Sequence, residues 1–182
     1  FSVMGSFFSQ EVLGVSKPRV GLLNIGEEED KGDSLTLAAH ELIKKLPINF
    51  TGNVESKDIM FSAADVVVCD GFVGNSLLKF GEGLEELFTD FFKKEAKGSL
   101  RSLLGLLILK PAFKRFKKLF DYNEHGGAPL LGLNGVSIVA HGKSKAPAIK
   151  SAIRIAIQTV EHDVVGKIEE TLEKTYSDIE EK

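Results

Sequence analysis

A chain of 182 residues with 43% apolar content and a mean hydropathy near zero is long enough to bury one substantial core, so a single domain over residues 1–182 is expected. The formal charge of −3, from 23 basic and 26 acidic residues, argues against a nucleic acid partner. The single cysteine, Cys69, excludes an internal disulfide, and its apolar neighbours point to a buried thiol in a reducing, cytoplasmic setting. The chain opens at Phe1 without the charged-then-apolar layout of a signal peptide, which fits a cut or processed product.

In chain order, FSVMGSFFSQEVLG reads as a helix closed by Gly14, the residue best able to take the left-handed position after a helix. RVGLLNI (Arg19–Ile25) is a buried strand closed by Gly26. Asp33 or Ser34 caps the next helix, with Leu35, Ala38, Ala39, Leu42 and Leu46 on its core face and Pro47 ending it. Further strands are expected at Ile48–Asn53, Asp65–Cys69 and Val136–Ala140. Between the last two, Leu84, Leu87, Phe88, Phe91 and Phe92 form a core-facing helical stripe. After the fourth strand, Ile149, Ile153, Ala156, Ile157, Val160, Val164 and Ile168 fall in register on one long helix, and the Glu-rich remainder from Glu169 reads as a fraying end. Apolar strands separated by amphipathic helices predict an α/β fold with a mainly parallel sheet.

Each predicted strand runs into a polar loop: NIGEEE, TGNVES, CDGFVGNS and AHGKSK. Parallel strands bring all four loops to one edge, where Asn24, Gly26, Glu27, Gly52, Asn53, Asp70, Gly71, Gly74, Asn75, His141 and Gly142 line one crevice. A helix starting at Asn75 or Ser76 aims its free N–H groups into that crevice, a setting for phosphate or another oxyanion. Taken singly, each loop is more often an ordinary turn, and Asn75 a plain helix cap. Glu27 lies closest to a strand end within an otherwise solvated acidic run. His141, between a strand and a glycine, is the best placed histidine for proton transfer. His40, His125 and His162 show no metal-ligand spacing, so neither a metal site nor a cofactor is predicted. GKS at Gly142–Ser144 lacks the earlier glycine of a nucleotide-binding P-loop, since position 137 is Ser. No G-x-S-x-G element is present, which argues against a serine hydrolase.

From Lys93 to Lys118 nine basic residues face one acidic, Glu95, a local +8 that leaves −11 for the rest. The apolar run Leu103–Leu109, with Leu103, Leu106 and Leu107, joins through Lys110 and Pro111 to a helix from Ala112. That helix groups Phe113, Phe116, Leu119 and Phe120 opposite Lys114, Arg115, Lys117 and Lys118. Seven apolar residues cannot span a bilayer, which takes about 20. They suit an interfacial contact with an anionic membrane or the capture of an acidic protein; a subunit interface with a solvated lysine face is the plainer account.

PRVGLLNIGEE (Pro18–Glu28), INFTGNVE (Ile48–Glu55), ADVVVCDGFVGNSLLK (Ala64–Lys79) and YNEHGGAPLLGLNG followed by AHGKS (Tyr122–Ser144) give the chain a specific likeness over nearly its whole length. It resembles the PlsX-type phosphate acyltransferases of bacterial phospholipid synthesis. The resemblance implies transfer of an acyl group from acyl carrier protein to inorganic phosphate. It also implies a three-layer α/β/α fold similar to phosphotransacetylases and isocitrate dehydrogenases, a homodimer, and peripheral membrane association through a helical hairpin within 97–122. The family's front half, which opens with a Gly-Gly-Asp-containing strand and turn, has no counterpart in these residues.

On that likeness phosphate attacks the thioester carbonyl directly. It rests on the N–H groups of Gly71 to Ser76, Phe72 included, and on the Asn75 side chain; Asn24 or Asn53 stabilises the oxyanion and His141 orients phosphate or moves a proton. A thiol of pKa near 8.5 leaves without a strong general acid, and Cys69 is core. The hairpin cations Lys110, Lys114, Arg115, Lys117 and Lys118 attract carrier protein, anionic lipid, or both. The rival readings are a non-catalytic membrane or carrier-protein binding module, and an α/β enzyme acting on acetyl phosphate or another phosphorylated metabolite.

Overall fold

The computed structural model of the protein describes residues 1–119 and 127–180, without the side chains of Lys117, Lys118, Leu119, Tyr176 and 178–180. Phe120, the residues Tyr122–Gly126 of the family likeness and the end of the expected 97–122 segment lie outside the described residues, as do the Lys117 and Lys118 side chains. The elements are α1 (Ser2–Glu11), β1 (Val20–Asn24), α2 (Ser34–Ile43), β2 (Phe50–Glu55), a 3-10 turn (Ile59–Phe61), β3 (Val66–Val68), α3 (Gly71–Gly98), α4 (Leu100–Leu119), β4 (Ala128–Pro129), β5 (Ile138–Val139), α5 (Ala146–Glu161) and α6 (Val164–Glu180). They belong to two compact units: Asp70–His125, and the remainder on either side of it in sequence.

The larger unit is built on β1, whose five residues are all buried. It lies between β2 and β3 in a parallel sheet of order β2-β1-β3. α1 packs on β3, and α2 contacts both β1 and β2, giving a mixed α/β architecture of the three-layer α/β/α class. Between Val20 and Gly21 the register slips, since Val20 pairs with Phe50 and Gly21 with Gly52. Thr51 is the residue left without a partner, and Gly52 beside it carries the bulge at φ +95°, a conformation that side-chain-bearing residues resist.

Arg19, at the entry to β1, is clamped to Asp65, at the entry to β3. Its Nε and Nη2 donate to the carboxylate at 3.1 and 3.0 Å, its backbone N–H adds a third bond at 2.8 Å, and Nη2 also reaches Ser62 O at 2.8 Å. Those donors, the guanidinium first, hold the Asp65 carboxyl below the ordinary aspartate range.

In the larger unit four expectations are overturned. Val136–Ala140 is not a fourth parallel strand: β5 pairs antiparallel with β4 in a separate two-stranded sheet. α2 turns His40 and Ile43 inward and leaves Leu35 64% exposed, because its apolar residues ring the helix and only the His40 side finds partners on β2. The long helix after β5 is two helices. Asp163, at φ +48°, breaks the chain between them, and α5 buries Ala148, Ala152, Ile155 and Thr159 while Ile153 is 57% exposed. α6, in place of a fraying end, remains helical through Glu180 and packs on α1. That packing is fastened where His162 Nδ1–H donates to Glu11 O and Lys167 Nζ meets the Glu11 carboxylate at 2.7 Å.

In the smaller unit Asp70 caps α3, its carboxylate accepting from Phe72 N and Val73 N at 2.8 and 2.9 Å. The helix therefore begins at Gly71 and not at Asn75 or Ser76. It ends at Ser99 and packs on α4, with the Phe92 and Phe113 rings 4.5 Å apart edge to face. The stripe at Leu84, Leu87, Phe88 and Phe91 stays largely exposed, since the described residues of this unit supply only α4 as a partner. α4 runs unbroken through Pro111, where a new helix from Ala112 was expected. The proline lacks the N–H that would bond the Leu107 carbonyl one turn back.

Replacing Asp65 by Asn should lower the melting temperature by about 3 °C, the size of a loss of roughly 1 kcal/mol in a chain of this length. Because the folded carboxyl is shifted down, its contribution is fully present above the ordinary aspartate pKa and fades as pH falls through the folded value. Wild type and variant should converge in thermal melts taken at decreasing pH below about 4; a constant gap would assign the effect to something other than charge.

Candidate functional site

Two amides stand toward the carboxyl ends of the parallel strands, Asn24 closing β1 and Asn53 two residues before the end of β2, and both are buried. Asn24 Nδ2 donates to Lys31 O at 2.8 Å, and its Oδ1 accepts from Ile25 N at 2.8 Å. Asn53 Nδ2 donates to Glu28 O at 2.7 Å, which fixes its Oδ1 toward His40 Nδ1–H at 3.0 Å. The two side chains thus pin the acidic loop between β1 and α2 over the strand ends. Gly32, at φ +107°, completes the fit, for a Cβ there would lie 2.1 Å from Thr36 Oγ1 and 2.5 Å from Asn24 Oδ1.

His40 is the residue that sequence reasoning passed over. It is 2% exposed, stacked edge to face on Phe50, with Nε2 3.8 Å from Glu29 Oε1. Glu29 also meets Lys44 Nζ at 2.8 Å, and that ammonium is the chief cause of a carboxyl pKa below the usual glutamate range. The available signal was a lone histidine three residues before Ile43 on a helix facing a strand with an amide.

Around this edge the field is acidic. Gly26 is buried and Glu27 exposed. Lys57 Nζ lies 2.6 Å from Glu55, and that hydrogen bond raises its pKa, with Asp58 and Glu27 adding through space. Among the described residues no cluster of histidine, cysteine and carboxylate side chains is arranged to hold a metal ion.

The AHGKS loop follows β5, a strand of the second sheet, so the parallel-edge argument no longer places His141 beside Asn24. His141 is exposed, and its Nδ1 accepts from Lys143 N–H at 3.1 Å, so the neutral ring carries its proton on Nε2. Ser144 N–H returns to His141 O at 2.8 Å, and Gly142 has open space where a Cβ would stand.

The CDGFVGNS segment divides between units, with Cys69 half-buried in the larger one and Asp70 to Ser76 in the smaller. The N–H groups expected to cradle an anion are taken: Phe72 and Val73 by the Asp70 carboxylate, Gly74 by Asp70 O at 3.0 Å. Ser76 Oγ donates back to Phe72 O at 2.8 Å. Phe72 is 83% exposed, Asn75 is exposed, and Gly71 has no neighbour to crowd a Cβ.

Residues 1–167 match the family model described as fatty acid synthesis protein. The chain belongs to that family. It is 52% identical over 170 residues, 93% of its length, to a phosphate acyltransferase of Heliobacterium modesticaldum, and 50% identical over 165 residues to one of Moorella thermoacetica. A phosphate acyltransferase of Synechococcus elongatus shares 48% over 174 residues. The chain spans about half the length of these curated relatives, 51%, 49% and 50% respectively.

Replacing Asn53 by Ala removes both the donor to Glu28 O and the acceptor for a buried imidazole N–H, a loss of about 2 kcal/mol. The expected result is a melting temperature lower by about 6 °C and faster cleavage at Glu27 to Glu29 by a glutamate-specific protease. Unchanged cleavage would show that the loop is held by other contacts.

Proposed function

We propose that the protein carrying this chain transfers a fatty acyl group from acyl carrier protein to inorganic phosphate, giving the acyl phosphate used in bacterial phospholipid synthesis. The observation that carries this is the 52% identity, over 93% of the chain, with a relative named phosphate acyltransferase. In the reaction a phosphate oxygen bonds to the thioester carbonyl carbon, the C–S bond breaks, and the proton lost by phosphate ends on the departing thiolate. A thiol is a good leaving group near neutral pH, so binding and orientation supply most of the catalysis.

Within this reading contact with phosphate or the developing oxyanion is assigned to Asn75 and Ser76, in the second turn of α3, and, taken by itself, to the loop His141–Gly142. His141 Nε2–H is a donor aimed by the bond at Nδ1. Asp70 and the glycines Gly71 and Gly74 shape the turn that presents Asn75 and Phe72. Asn24 and Asn53, whose amides are engaged with Lys31 O and Glu28 O, act as positioning residues for the Gly26–Glu27 loop.

The helix pair α3–α4 then serves delivery. No described residue of α3 is buried, and on α4 Leu103, Leu104, Leu107 and Ile108 are exposed, Ile108 by 80%, beside exposed Arg101, Lys110, Lys114 and Arg115. Among the described residues no helix is long and apolar enough to cross a membrane. A basic, apolar surface of this kind supports peripheral contact with an anionic bilayer, with carrier protein as the competing acidic partner. The outward apolar faces of α2 and α5 support a larger assembly, a homodimer and the remaining half of the family's length.

Incubation with acyl carrier protein thioester and mass-labelled phosphate should yield labelled acyl phosphate by mass spectrometry. Asn75→Ala and His141→Ala should each lower turnover by about 100-fold, the scale of one lost oxyanion or proton-transfer group. Unchanged turnover in both would remove them from the mechanism, and no product at all would favour a non-catalytic binding module. Separately, Lys114→Glu with Arg115→Glu should weaken flotation with anionic vesicles at least tenfold, about 1 kcal/mol per cation being at stake; equal flotation would leave the apolar face, or neither, responsible.

A further inference from the structure

In the larger unit a cleft of about 340 Å³ opens between α1, α6 and the loop leading from β4 to β5. Its volume lies within the range of small-molecule sites, roughly 300–1,000 Å³. The apolar wall comprises Met4, Leu131, Leu133, Val165, Ile168 and Leu172. Thr159, also at the cleft, sends its hydroxyl to Ile155 O at 2.8 Å, so its one polar side-chain atom is already satisfied within the helix.

The loop that forms one wall is preshaped. Leu130 N–H donates to Ser137 O at 2.8 Å and closes it. Gly132, at φ +87°, lets the backbone pass over Met4, whose Cε would lie 3.4 Å from any Cβ there. Among the described residues the polar lining is Asn134, Ser137, Glu169 and Glu173, with no lysine or arginine. An apolar wall with acidic side chains and no cation suits a neutral apolar ligand and disfavours a free carboxylate or phosphate.

Two observations connect the cleft to the reaction proposed above. Ser137 at its edge is followed directly by β5, and His141 lies four residues on, a reach of no more than about 13 Å at strand rise. The relatives act, by name, in acyl transfer. We propose that this cleft receives the hydrocarbon chain of the acyl thioester substrate while the thioester end lies toward the His141 loop. The inference rests on the acyltransferase reading for its ligand, though not for the existence of the cleft.

The test separates the two. The neutral probe S-parinaroyl pantetheine, whose polyene fluoresces in apolar surroundings, should bind the full chain saturably and more tightly than free parinaric acid. Leu133→Trp, on the exposed side of the loop, and Val165→Trp, on α6, should each weaken binding at least tenfold with unchanged circular dichroism. Should Val165→Trp fail to fold, Leu133→Trp decides alone. Absence of saturable binding, or equal binding by the folded Trp variants, would overturn the proposal. Loss of binding in Leu104→Ser on α4, with the cleft variants intact, would overturn it too by moving the chain to the helix pair. In the turnover assay, Leu133→Trp should depress transfer of long acyl chains while sparing butyryl transfer. An unaltered chain-length profile alongside normal turnover would sink the cleft and leave the acyltransferase standing. Probe binding that the Trp variants abolish, in a protein that makes no acyl phosphate, would do the reverse.

Discussion

Strand β1 has water on neither face and a hydrogen-bonded neighbour on both edges, and the larger unit is arranged around that constraint. Full burial of a valine or leucine side chain is worth about 1.5–3 kcal/mol, so Val20, Leu22 and Leu23 together outweigh any single polar contact described above. The same burial fixes where polarity is allowed. At the entry, Arg19 reaches past the strand to Asp65 and Ser62; at the exit, Asn24 satisfies its amide on the loop it releases. Gly21 shows how tight the middle is, since a Cβ there would lie 2.3 Å from Val54 Cγ2 on β2. A side chain at that position has to push aside the Val54 side chain and crowds Ala64.

Strands β1, β2 and β3, the Asp33 cap and the left-handed Gly14 were legible in the sequence because each depends on local chemistry. The inward faces of α2 and α5 were not, because both helices carry apolar residues on two sides and periodicity alone does not say which side meets the sheet. On α2 the deciding partner is polar: His40 goes in because Asn53 accepts its N–H and Phe50 accepts its edge, which a hydrophobic stripe cannot reveal. The β5 error has a different origin. A five-residue apolar run has no intrinsic direction, and its pairing with Ala128–Pro129 is a long-range choice.

Of the candidate site, the sequence showed which residues are polar at strand ends but not which of their hydrogen bonds were already committed. Asn24, Asn53 and Asp70 were each read as facing a ligand, and each is occupied with the chain's own backbone. For Asp70 this is the common fate of an Asp beside a turn, whose nearest N–H groups are two and three residues away; Asn24 and Asn53 reach further, to carbonyls of the β1–α2 loop 7 and 25 residues off in sequence. The family likeness reaches further than the geometry of these loops, since the identity is spread over nearly the whole chain.

Self-satisfaction of the loops changes how an anion has to be held. A helix terminus left open offers phosphate three or four N–H groups and half a positive charge; α3 has already given Phe72 N and Val73 N to a carboxylate of its own. The His141 loop has likewise spent Lys143 N and Ser144 N on His141. An anion at either loop, taken by itself, would meet side chains, the Asn75 amide on α3 or the exposed Lys143 ammonium after β5, more than a backbone nest. The acidic loop over β1, with Glu27 to Asp30 near the strand ends, repels the same anion. Positive charge at the loop after β5 comes from the exposed Lys143 and Lys145.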